Sequence, residues 1–186
     1  MRASVPVLVL ALLGACKSPG TGPYGSPPAA KRQTAEAERL TQEAAAIVDT
    51  DPQRAQTLLR EALGHDLFFG PAHNNLGVIH LKRGELYEAA GEFEWARKLM
   101  PGHPDPRVNL ALTLERAGQS QEALTTYSAA LEVYPEYLPA IQGLASLTLR
   151  TGRRDDRLHG WLEAIAMRCK DATWRKWAAR HQALRR

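Results

Sequence analysis

The stretch that decides the fold runs from residue 70 to residue 137: GPAHNNLGVIHLKRGELYEAAGEFEWARKLMPGH at 70–103, followed by PDPRVNLALTLERAGQSQEALTTYSAALEVYPEY at 104–137. Laid one above the other, these two 34-residue lines agree in residue type wherever two packed helices need agreement. The seventh and eighth places are Leu76-Gly77 and Leu110-Ala111, the fifteenth Gly84 and Gly118, and the twentieth Ala89 and Ala123. The twenty-fourth is Phe93 and Tyr127, the twenty-seventh Ala96 and Ala130, and the thirty-second Pro101 and Pro135. Small residues at the eighth, twentieth and twenty-seventh places let two helices approach, and the bulky twenty-fourth side chain fills the space beside them. Glycine at the fifteenth place suits a left-handed helix end, and proline at the thirty-second stops the second helix.

The same period extends outward in both directions. Units starting at Glu36 and Leu138 bring Leu59 and Trp161 to the twenty-fourth place and Ala62 and Ala164 to the twenty-seventh. Leu144-Ala145 and Gly152 keep the fourth unit in step, although Arg157 replaces a small residue there and Cys169 replaces the proline. In the first unit Gln42-Glu43 stand where the Leu-small pair belongs, while Leu40, Ala44, Ile47 and Val48 keep helical spacing. Either an insertion shifts the phase of that helix, or it turns a different stripe inward. Asp51-Pro52 and Asp105-Pro106 each read as a capping aspartate followed by proline at the first helical place.

These types at this period resemble the tetratricopeptide repeat (TPR), a helix–turn–helix unit, over residues 36–171. The resemblance implies an all-α, TPR-type solenoid of helical hairpins. Its parts would be a degenerate repeat at 36–69, two regular repeats at 70–103 and 104–137, and a degenerate repeat at 138–171. A capping helix over 172–186 would follow, with Trp174, Trp177, Ala178, His181 and Leu184 on one face and Arg175, Lys176 and Arg180 opposite. That helix reads either as a cap sealing the stack or as an amphipathic surface-binding segment on lipid or glycan.

The chain opens MRASVPVLVLALLGAC, a positive Arg2, a short apolar run and two small residues before Cys16. This is the layout of a secretory signal over 1–15, too short to span a bilayer. Leu13-Gly14-Ala15-Cys16 resembles the lipobox of bacterial lipoproteins, which implies lipidation of Cys16 and a membrane anchor. Lys17 in place of aspartate favours the outer membrane by the same resemblance. Residues 16–35, dense in Pro and Gly, read as a flexible tether.

The first helices of such repeats line a concave groove for peptides or protein segments, so equivalent places form rows. The sixth place gives Asn75 and Asn109, then Gly143; the ninth gives Val78 and Leu112, then Ser146; the thirteenth gives Lys82, Arg116 and Arg150. An apolar floor, an amide pair and a basic edge would suit an extended segment bearing carboxylates. The plainer alternative has the asparagines bridging neighbouring helices and the cations solvated.

Charge is uneven: residues 150–186 hold 11 Lys or Arg against 4 Asp or Glu, whereas the remainder holds 13 against 16. An anionic neighbour is one reading of that basic end, a solvated surface the other. With Cys16 modified, Cys169 has no disulfide partner. His73 and His80 fall on bulky packing places, and no carboxylate or cysteine stands at metal-ligand spacing from them. No phosphate loop, HExxH or serine elbow occurs, so no cofactor, metal site, catalytic residue, small-molecule substrate or nucleic-acid partner is expected. The expectation is a membrane-anchored, protein-binding scaffold or assembly factor of the cell envelope. A cytosolic adaptor is the alternative if the signal is misread.

Overall fold

The computed structural model describes residues 33–184. The stretch read as a secretory signal, Cys16 and the stretch read as a tether, up to residue 32, lie outside the described residues. Among the described residues there are nine α-helices and no strand. They are α1 (Thr34–Ile47), α2 (Pro52–His65), α3 (Gly70–Arg83), α4 (Leu86–Leu99), α5 (Asp105–Arg116), α6 (Ser120–Val133), α7 (Leu138–Arg150), α8 (Leu158–Arg168) and α9 (Ala172–Ala183). Successive pairs pack as antiparallel hairpins, and each hairpin packs on the next.

The hairpin turns follow from local chemistry. Gly84, Gly118 and Gly152 sit at φ 78°, 80° and 67°, where a side chain would be strained. In each, the following amide reaches back five residues to a helix carbonyl: Glu85 to His80 at 3.0 Å, Gln119 to Leu114 at 2.9 Å, Arg153 to Thr148 at 3.1 Å. This is the Schellman ending, repeated three times. Asp51 caps α2 as expected, its carboxylate accepting from the Arg54 amide at 2.9 Å. Asp105 does not cap. It is already the first residue of α5, behind Pro104, and its carboxylate accepts from the hydroxyl of Tyr137, the residue just before α7, instead.

Inside each hairpin the small–large–small pattern does what the period implies. Phe93, Ala89 and Ala96 have no exposed surface, and a methyl group added at Gly77 would stand 2.7 Å from Phe93 Cε1. Helix α3 can therefore lie close to α4 only because Gly77 lacks a side chain.

Both departures in the outer repeats resolve as shifts of phase. The buried residues of α1 are Ala37, Leu40, Thr41 and Ala44, each thirty-six residues before His73, Leu76, Gly77 and His80 of α3. The turn between α1 and α2 spans residues 48–51, two residues longer than the turn between α3 and α4, so the insertion reading is the correct one. Helix α1 thus begins inside the stretch read as tether. In the fourth repeat α8 starts late, at Leu158, leaving Arg157 outside the helix against Asp155 and 4.9 Å from the Trp161 ring. The residues with no exposed surface there are Leu158, Leu162 and Ile165, not Ala164. The closing bond agrees: Ala62, Ala96 and Ala130 accept the final amide in the first three repeats, Ile165 in the fourth.

Stacking is asymmetric. Helices α1, α3, α5 and α7 approach in succession, whereas among the described residues α2, α4, α6 and α8 bring no Cα atoms within 8 Å of one another. The first helices consequently form the tight inner face, and the second helices fan apart behind it.

Candidate functional site

The inner face carries the expected rows, but the side chains in them do more than await a ligand. Asn109 donates from Nδ2 to Asn74 Oδ1 at 3.0 Å, joining α5 to α3, and Asn74 lies 3.4 Å from Asn75 Oδ1. Asn109 therefore holds two helices together, while Asn75 keeps its own amide nitrogen unengaged among the described residues. Sequence spacing placed Asn75 and Asn109 in one row; Asn74 is the residue that it missed. An asparagine reaching its counterpart across a helix spacing of ~10 Å is the signal that could have found it.

The three cations each reach back to the preceding repeat. Lys82 Nζ lies 2.5 Å from Asp49 Oδ1, Arg116 Nη1 donates to the Leu81 carbonyl at 3.2 Å, and Arg150 Nη2 lies 2.8 Å from Glu115 Oε1. They act as staples between repeats, and two of the three are offset by a carboxylate. Arg116 alone of the three has no carboxylate within ion-pair distance among the described residues. Glu115 also accepts from the Tyr127 hydroxyl at 3.1 Å, and burial together with that carboxylate pushes the Tyr127 hydroxyl well above the usual phenol range.

Val78 and Leu112 are half-buried and form the apolar floor. Asn75 and Val78 flank a cavity of about 70 Å³ shared with Ala45 and Val48 of the first hairpin. A larger one, about 310 Å³, opens between α3 and α5 over Asn74, Asn75, His103 and Asn109.

At the far end the structure adds a part that the rows did not include. Helix α9 begins at Ala172, thirty-four residues after Leu138, and packs on α8, but unlike the earlier first helices it has no Cα atom within 8 Å of the preceding one, α7. Trp174 and Trp177 pack edge to face, ring centres 5.1 Å apart, and with Ser146 they line a cleft of about 310 Å³. Ser146 is the ninth-place successor of Val78 and Leu112, so the cleft opens at the end of that row. Arg175, read as part of a surface-binding face, donates to the carbonyls of Cys169 and Lys170 at 3.1 and 3.0 Å and fastens α9 to the end of α8. Lys176 and Arg180 are exposed. Leu184 does not join the apolar face: it lies past the helix end and is 78% exposed.

The histidines are structural in placement. His73 is buried, with Nδ1 2.7 Å from Glu92 Oε2 and Nε2 2.9 Å from the Leu67 carbonyl. His80 Nδ1 lies 2.5 Å from Glu85 Oε2. Among the described residues no three His, Cys, Asp or Glu side chains cluster as metal ligands. No described helix is long and apolar enough to cross a membrane.

The hairpin geometry and the inner face define the class: this is a solenoid with the tetratricopeptide-repeat fold. Solved structures agree. The TPR domain of Sgt2 from Aspergillus fumigatus superposes with a TM-score of 0.62 at 19% identity, covering 68% of this chain and 85% of that one. The first TPR of Spaghetti (RPAP3), bound to the HSP90 peptide SRMEEVD, gives 0.61 at 13% identity, covering 66% and 98%. The structure of MamA gives 0.58 at 19% identity, covering 80% of each chain. No family model matches the chain. Among curated proteins it is similar to tetratricopeptide repeat protein 8 of Mus musculus, 26% identical over 88 residues, which are 47% of this chain and 17% of that protein. It is also similar to the TPR repeat-containing thioredoxin TTL4 of Arabidopsis thaliana, 34% identical over 80 residues, 43% of this chain and 12% of that protein. The chain thus spans less than a fifth of either relative's length.

Proposed function

We propose that this chain is a protein-binding scaffold or assembly factor of the bacterial cell envelope, lipid-anchored through Cys16, that holds an extended segment of a partner protein along its inner face. It works by binding and positioning rather than by catalysis. The observation that carries the reading is the inner face of α1, α3, α5 and α7, with amides at Asn74 and Asn75 and an apolar floor at Val78 and Leu112, and a Trp174–Trp177 cleft beside Ser146. A structural neighbour bound to a peptide supports the use of such a fold for that purpose. Partner selectivity rests more on shape and amide pairing than on a basic edge, because Lys82 and Arg150 already face carboxylates.

The test is capture of envelope proteins by the processed, full-length chain, compared with Asn75→Ala and Val78→Arg variants. Specific loss of one partner in both variants supports the groove; unchanged capture by both sinks it. Cys16→Ser tests the anchor separately: the variant is expected in the soluble fraction, and retention at the membrane would remove the lipid from the scheme. A second reading has some support, since Lys176 and Arg180 are exposed with no partner among the described residues. Contact of α9 with anionic lipid or glycan would weaken steeply with added salt, whereas groove packing would not.

A further inference from the structure

The fourth repeat departs from the others in a second way. Its hairpin turn spans residues 151–157, longer than the turns of the two regular repeats, and its eleventh place holds Thr148 where they hold His80 and Leu114. A long turn over a short side chain leaves a cavity of about 110 Å³ between α6, α7 and the turn. Thr148, Ser128, Gln121, Arg153, Asp155 and Arg157 are among its walls. It shares no residue with the groove cavities.

The hydrogen-bonding balance of this cavity is one-sided. Thr148 is 1% exposed, yet its hydroxyl has no partner among the described residues, unlike Thr113 and Thr151, which bond helix carbonyls at 2.8 Å. A buried hydroxyl left unpaired costs about 1–3 kcal/mol, so an acceptor supplied at this point is favoured. The half-buried Ser128 hydroxyl is likewise unengaged among the described residues. Gln121 spends its carbonyl oxygen on Arg153 Nη1, which leaves its amide nitrogen to donate. Asp155, the one carboxylate in the wall, has both oxygens taken by Arg157: Oδ1 by the backbone amide at 2.9 Å and Nε at 3.0 Å, Oδ2 by Nη2 at 2.8 Å. What remains is a set of donors, with the Arg153 guanidinium beside an Arg157–Asp155 pair that cancels its own charge.

We propose that this cavity is a binding site for a single phosphate-type oxyanion, either inorganic phosphate or the phosphoryl group of a small monoester. Such a group offers acceptors in every direction, matching hydroxyl, amide and guanidinium donors together. At about 110 Å³ the cavity has room for more than a single water and for one tetrahedral oxyanion. The site lies apart from the groove and does not depend on what the groove holds.

The experiment follows backbone amide shifts of the full-length chain during titration with inorganic phosphate, with glycerol phosphate, and with chloride at matched ionic strength. Saturable shifts at Leu124, Thr125, Thr148 and Arg153 with either phosphate species, and not with chloride, are the expected result. The stronger of the two identifies a free or an esterified source. Thr148→Val keeps shape and removes the hydroxyl, and should weaken binding roughly threefold to tenfold. Arg153→Gln, which keeps the backbone amide that closes the turn and removes the exposed guanidinium, should weaken it about tenfold or more. Shifts no larger than those with chloride, or unchanged affinity in Arg153→Gln, would overturn the site.

Discussion

Gly77 and Gly91 occupy helices of the same hairpin, and a methyl group would act oppositely at the two. At Gly77 it meets the fully buried Phe93 ring, so Gly77→Ala is expected to destabilise by about 1–3 kcal/mol through overpacking. At Gly91 nothing lies within 4 Å, and Gly91→Ala should stabilise by about 0.5–1 kcal/mol through helix propensity. Thermal midpoints of the two variants decide the matter. The Leu-Gly pair at a recurring place was legible in the sequence as a close approach; the ring that makes it close was legible only as a large residue at the right distance. His73 was harder to read. Its ring faces a carboxylate and a carbonyl, so both nitrogens donate when the ring is a cation. Burial opposes that charge, but the Glu92 hydrogen bond, the Leu67 carbonyl and the Glu92 charge outweigh it, and the pKa is raised above the ordinary imidazole value. The stabilisation is therefore complete below about pH 6.5 and is lost as pH rises through the raised folded value. Thermal midpoints should fall across that upper window, and a Glu92→Gln variant should lose much of the fall. Nothing in the spacing pointed to Glu92, because it lies on the next helix.

At the scale of elements, the phase shifts carry the lesson. Exact 34-residue counting failed at both ends of the array because turn length, not helix pattern, absorbs insertions. Within α1 the order of apolar residues was right and only its register was displaced, so hairpin existence could be read from the sequence while hairpin alignment could not. The staples between repeats differ in weight for a similar reason. Arg150 is an exposed member of an ion pair, and Arg150→Ala should cost less than about 1 kcal/mol. Glu115 accepts from both Arg150 and the buried Tyr127 hydroxyl, so Glu115→Ala should cost about 1–3 kcal/mol more by leaving that hydroxyl unpaired. Adding Tyr127→Phe to Glu115→Ala should restore part of the loss. Urea unfolding of the three variants measures all of this.

Across the whole molecule, helices of the described region contact only near neighbours in chain order. Stability then approximates a sum of repeat and interface contributions, and opening starts where one interface is missing. Amide exchange should be fastest in α1 and α9 and slowest in α3 to α6, the two regular repeats. Uniform protection from α1 to α9 would contradict this. The candidate groove was legible at this scale as rows of equivalent places. The part played by α9 was legible only as a choice between a cap and a surface-binding helix, because its cleft with Ser146 depends on how α9 packs on α8.

The fanned outer helices also set how the array yields under load. Because α2, α4, α6 and α8 keep their Cα atoms more than 8 Å apart among the described residues, the back of the solenoid is held mainly by side-chain ties such as Arg153–Gln121 and Arg168–Glu136. Stiffness is concentrated along the spine of first helices, where Asn74–Asn109 and the back-reaching cations act like stitches along a seam. Loosening one stitch would change the curvature of the molecule before it changed its stability.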